Sequence, residues 1–233
     1  MIFKKYLDIL MRAVMTGFCI GIGGTVYLSC SNKYIGAVLF GTGLFVILTS
    51  GFYLFTGKVG YVVNEKPDYI PKVILIWAGN FIGTVIMGFL IRQTRIKDAV
   101  AEKALAICNV KFDDNYLSIF VLAIFCGILM FIAADGYKNI KNPFGQMLAV
   151  FLPVVVFILS GYEHCIANMY YFTLAKVWSG EAFVYILVMT AGNTAGGIFI
   201  PLVKKLFVNN DSSEKKSENN SDNKILRKSM VKM

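Results

Sequence analysis

Six stretches of this chain, near residues 12–30, 36–63, 71–91, 117–137, 144–175 and 183–207, are long and apolar enough to need a bilayer. A hydrocarbon core about 30 Å thick takes roughly 20 apolar residues of helix. With 57% of its residues hydrophobic, the chain has too little polar surface to solvate a globule. The expectation is an all-α polytopic membrane protein with six transmembrane helices. The opening Lys4-Lys5-Tyr6 resembles the start of a signal peptide, but the apolar run from Ala13 to Ser31 is long and ends in no A-x-A-like site, so it is read as a retained first span.

Basic residues set the orientation. The N-terminus (Lys4, Lys5, Arg12), the second connection with the end of its span (Lys58, Lys66, Lys72), the fourth connection (Lys138, Lys141) and the C-terminal tail hold sixteen of the 23. Five of the other seven lie in one longer loop with Asp98, Glu102, Asp113 and Asp114. The positive-inside rule then puts both termini in the cytoplasm. The net charge of +9 is read as orientation and contact with membrane lipid, since no basic motif interleaved with aromatics accompanies it to suggest nucleic acid. From residue 208 to 233 the composition turns to Asn, Asp, Ser, Glu and Lys, the mark of a disordered polar tail. Cysteines at 19, 30, 108, 126 and 165 show no C-x-x-C spacing, so neither a disulfide framework nor a metal site is expected.

The second and fifth stretches are too long for ordinary spans, and each carries Ser-Gly-aromatic halfway along, at Ser50-Gly51-Phe52 and Ser160-Gly161-Tyr162. Each is followed by Ala-Gly-Asn-x-x-Gly, at Ala78-Gly79-Asn80 with Gly83 and at Ala191-Gly192-Asn193 with Gly196. Phe-Cys recurs at Phe18-Cys19 and Phe125-Cys126. These matches, about 107 to 113 residues apart, argue for a duplicated three-helix unit over about 12–91 and 117–207. An odd number of crossings turns the second copy upside down. Interrupted helices at membrane depth survive only where they line a cavity or are buried in protein, so the breaks mark the site, with half-helix N-termini aimed at the midplane. The glycines after each break are read first as helix-packing positions.

His164 is the only histidine and stands within the fifth stretch. A group that titrates near neutral pH is costly there and generally faces a pathway.

The segment Glu163-His164-Cys165-Ile166-Ala167-Asn168-Met169-Tyr170, with Leu54-Phe55-Thr56 and Ala191-Gly192-Asn193-Thr194-Ala195-Gly196-Gly197, resembles the formate/nitrite transporter family, which includes hydrosulfide channels. The resemblance implies an aquaporin-like protomer assembled as a homopentamer in the cell (inner or plasma) membrane. Each protomer would carry a pore for small monovalent anions of weak acids, formate, nitrite or hydrosulfide, with no cofactor and no enzymatic activity. It implies that His164 is the central pore histidine, Thr56 the hydroxyl facing it and Asn193 a pore-side amide. Leu54 and Phe55 would form one apolar constriction, with Leu44 and Phe157 at the second.

The fourth span departs from the family. Its usual lysine, about twelve residues before Gly-Ile-Leu, is Asn115 here, and Lys111 is the nearest basic residue. Either Lys111 supplies the vestibule charge from a longer loop, or it is a solvated lysine beside Asp113 and Asp114.

A bare anion in an apolar constriction loses hydration worth many kcal/mol, so a proton or a positive environment must compensate. Titration of His164 would make passage depend on pH. Glu163 is expected to turn away from the lumen and hold backbone amides, because a carboxylate beside the path repels the substrate. A water or neutral-solute pore of the aquaporin type is the other reading, but the half-helices carry no Asn-Pro-Ala pair. One histidine without a nucleophile pair or metal cluster leaves an enzyme little to use.

Overall fold

The computed structural model describes residues 3–207, and every regular element among them is helical. Four helices are long and apolar enough to cross a membrane: α1 (Phe3–Ser29), α4 (Ile70–Ile91), α6 (Tyr116–Asn139) and α9 (Gly180–Phe207). The second and fifth stretches are broken as expected. The second consists of α2 (Lys33–Thr49) and α3 (Phe55–Lys58), which tightens into a 3-10 turn at Val59–Val63; the fifth consists of α7 (Pro143–Leu159) and α8 (Cys165–Ala175). The polar tail expected over 208–233 lies outside the described residues.

Both breaks have one local cause. Gly51 and Gly161 sit at φ +67° and +69°, a left-handed conformation that glycine adopts without a Cβ clash. The chain then folds back on the helix it has just left. Phe52 N–H donates to the Ile47 carbonyl at 2.8 Å, and Tyr162 N–H to the Phe157 carbonyl at 2.9 Å. The starts match as well, since Asn32 caps α2 and Asn142 caps α7 through side-chain oxygens.

Glycines from the repeated motif lie where helices touch. A Cβ on Gly83 would overlap the Val14 carbonyl of α1, and one on Gly196 the Ile124 carbonyl of α6, so α4 lies against α1 and α9 against α6 at backbone distance. The halves meet through α2 and α7, which run antiparallel: Phe40 lies against Phe157, and Phe45 against Phe151. Trp77 and Thr190, which immediately flank the two Ala-Gly-Asn segments, hydrogen-bond each other at 3.1 Å and mark the axis relating the halves.

The longer loop holds an unexpected helix, α5 (Lys97–Phe112). The many charges of this stretch alone predict a loop. Val100, Ala104 and Cys108, spaced by four, form a narrow buried stripe that packs α5 on α8.

Candidate functional site

Two asparagines hold the breaks open. Asn80 on α4 accepts from Phe55 N–H at 2.9 Å and donates to the carbonyls of Ala13 and Tyr53 at 2.9 and 2.8 Å. Asn193 on α9 does the same in the other half. It accepts from Cys165 N–H at 2.9 Å and donates to the carbonyls of Ala123 and Glu163 at 2.8 and 2.7 Å. Each amide satisfies the first N–H of a half-helix, a carbonyl of the break and a carbonyl of a neighbouring helix, groups that have no water to turn to at this depth. Asn193, expected as a pore-side amide, is therefore a clamp: it is fully buried, with all its contacts to backbone. Asn80 was missed as a functional residue, although the repeated Ala-Gly-Asn marked it. The half-helix N-termini correspondingly offer fewer free donors to the midplane than the breaks alone suggest.

The clamped segments bring Thr56 and His164 together, with Oγ1 and Nε2 2.9 Å apart and both side chains buried. His164 caps α8, its Nδ1 accepting from Ala167 N–H at 3.1 Å. That acceptor role assigns the proton of the neutral ring to Nε2, pointing at the Thr56 oxygen. The Thr56 hydroxyl makes no other hydrogen bond among the described residues, so its own hydrogen is left to donate. Leu54 holds the equivalent cap position of α3 without a side-chain hydrogen bond.

Apolar side chains stand on either side. Toward the chain termini, Leu44 and Leu54 line a cavity of about 210 Å³. Away from the termini, Phe157 and His164 line an outer cavity of about 230 Å³. The two cavities share no wall residue, and the buried Thr56 belongs to neither. The expected grouping of Leu44 with Phe157 is corrected: Leu44 joins Leu54, and Phe40, one helical turn earlier on α2, meets Phe157 edge-on at 5.8 Å between ring centroids. The Phe157 ring in turn lies 5.7 Å from the His164 ring. Phe55 is buried and borders neither cavity, and its backbone N–H is held by Asn80.

Lys111 lies on the continuation of the α5 stripe, not in solvent. Its ammonium donates to both oxygens of Glu163 at 2.7 and 2.8 Å, with side-chain exposures of only 11% and 5%. Glu163 takes a further bond from Asn168 Nδ2 at 2.7 Å. Its side chain therefore faces the outer cavity and holds Lys111 and Asn168, not the backbone amides expected of it. Asn168 Oδ1 is buried without a hydrogen-bond partner among the described residues.

This architecture has relatives. A model of the family described as formate/nitrite transporter matches residues 2–206. A formate-nitrite transporter of Plasmodium knowlesi is 25% identical over 83% of this chain and 74% of its own length. A formate channel, FocA, of Haemophilus influenzae is 24% identical over 69% of this chain and 63% of its own. Among solved structures, a pentameric formate channel with formate bound superposes with a TM-score of 0.75 at 24% identity, covering 88% of this chain and 98% of that one. An ion channel of the same family superposes at 0.74 with 21% identity. The fold is theirs, and with nearly all of its described length matched, the chain belongs to the formate/nitrite transporter family.

Proposed function

We propose that this chain is a channel for small monovalent anions of weak acids, with formate, nitrite and hydrosulfide as the substrate class. It works as a homopentamer in the cell membrane with both termini cytoplasmic, and its passage depends on pH through His164. The observation that carries the reading is the Thr56–His164 hydrogen bond, set between two half-helix starts and flanked by apolar side chains on both sides. A polar pair so enclosed is suited to a substrate small enough to replace one hydrogen bond with another. Relatives described as formate channels support the substrate class, and the pentameric channel supports the assembly.

The geometry suggests how charge is handled. A second proton can join the imidazole only at Nδ1, where it would meet the Ala167 N–H donor to donor. An anion at Nε2–H offsets that loss. Anion and proton then arrive together, and the substrate leaves across the apolar constriction as the neutral acid.

Proteoliposomes offered formate, nitrite or hydrosulfide, with flux and current read together between mildly acidic and neutral pH, test this. His164→Phe should abolish transport. His164→Asn should stop flux or leave an anion current that no longer follows pH. An Asn variant with wild-type rate, selectivity and pH response would overturn the role of the histidine. A mass in mild detergent other than that of five chains would overturn the assembly.

A further inference from the structure

The two mouths of the path carry different charge, although the repeat makes them equivalent. In the outer mouth Lys111 is neutralised by Glu163, with Asn168 bonded to the same carboxylate. The half-helix register that matches Gly51 with Gly161 and Phe55 with Cys165 also matches Tyr53 with Glu163 and Lys58 with Asn168. Where the outer mouth has a carboxylate, the mouth on the side of the chain termini has a phenol; where the outer mouth has an amide, this one has an ammonium.

The consequence is visible in the contacts. Lys58 Nζ stands over the Tyr53 ring at 4.9 Å from its centroid, and Lys138 Nζ over the Tyr61 ring at 5.0 Å. Both lysines and both tyrosines line the 210 Å³ cavity beneath Leu44 and Leu54. No aspartate or glutamate lines it. Among the described residues neither ammonium has a carboxylate in salt-bridge range. Asp135, the nearest acid in sequence to Lys138, is bonded to Lys204 at 2.9 Å and to the Tyr61 hydroxyl. Aromatic faces attract a cation without cancelling its charge, so two positive groups remain available to a ligand in a half-enclosed space.

We propose that this cavity is an anion-binding subsite, in which Lys58 and Lys138 hold a small carboxylate or other monovalent anion directly below the Leu44–Leu54 constriction. Lys58 is the principal contact because it is half-buried and Lys138 is exposed. The outer mouth, with its charge internally paired, has no equivalent. Capture of anions is therefore one-sided, stronger from the side of the termini. For the identity of its ligand the proposal rests on the anion-channel reading; for its charge asymmetry it does not.

Two measurements separate these. A cysteine placed at Leu48, on the cavity wall, should react faster with an anionic methanethiosulfonate than with a cationic one. Lys58→Gln and Lys138→Gln should each lower that ratio roughly three- to tenfold at low ionic strength, as expected for one charge several Å away, and less at high salt. Lys58→Arg should preserve it, which guards against misfolding of the glutamine variants. In vesicles of defined orientation, with formate as the probe, Lys58→Gln should raise the half-saturating concentration from the terminal side several-fold and leave the opposite side unchanged. A reagent ratio indifferent to both lysines, or an equal effect on the two sides, would overturn the subsite. A wild-type protein that moves no formate while the reagent ratio behaves as described would overturn the channel reading and leave the basic cavity standing.

Discussion

Replacing Asn193 with alanine removes three hydrogen bonds from the fully buried break between α7 and α8. The Ala123 carbonyl lies within α6 and keeps its place in that helix's own ladder. Cys165 N–H and the Glu163 carbonyl have no other partner among the described residues. A buried polar group left unpaired costs about 1–3 kcal/mol, so the two together cost about 2–6 kcal/mol. For a chain of this size, even the lower figure is a fall of at least about 4 °C in the apparent unfolding temperature. Asn80→Ala should behave alike, because it orphans Phe55 N–H and the Tyr53 carbonyl in the same way. Asn193→Asp should be no better than alanine: it keeps an acceptor for Cys165 but turns an anionic oxygen toward two carbonyls. The assay is thermal unfolding of the purified protein in detergent beside anion flux in liposomes. A pore-facing amide would lose flux and keep stability. An unfolding temperature within a degree of wild type, with transport gone, would therefore refute the clamp.

The outer ion pair yields a second test: Lys111→Met, which leaves a buried carboxylate unpaired, should destabilise by about 3–5 kcal/mol, and adding Glu163→Gln should restore most of that loss in the same unfolding assay. Destabilisation by the double variant as large as by the single would show that Lys111 acts otherwise than through Glu163. Because Phe40 packs edge-on against Phe157 beside the outer cavity, Phe40→Ala should widen the size range of permeant carboxylates as much as Phe157→Ala does. A Phe40→Ala channel with unchanged size selectivity, measured as relative formate and acetate flux, would remove Phe40 from the constriction.

Much of this architecture could be read from residue order. The apolar runs placed the spans, and Ser-Gly at matching depth placed both breaks, because a left-handed glycine ends a helix by local geometry alone. Thr56 and His164, 108 residues apart, were paired through family resemblance, and they meet in the fold. What escaped depends on direction more than on residue type. An asparagine at the depth of Asn193 reads the same whether its amide faces a lumen or a backbone, and a modest rotation of α9 decides between them. Phe40 and Leu44 differ by one turn of α2, yet Phe40 meets Phe157 while Leu44 lines the other cavity with Leu54. Lys111 was ambiguous because its neighbours Asp113 and Asp114 are acidic, whereas the partner that matters, Glu163, is remote in sequence and reached only because α5 is a helix. The repeat does carry one signal that a residue-by-residue reading passes over: its mismatches. Leu54 against His164, Tyr53 against Glu163 and Lys58 against Asn168 are equivalent positions with unlike chemistry. Shared residues in an inverted repeat build a symmetric scaffold, and a symmetric scaffold alone cannot distinguish its two sides. The titratable ring, the neutralised outer mouth and the basic mouth on the side of the termini all arise where the copies differ, so the polarity of the path is written in those substitutions.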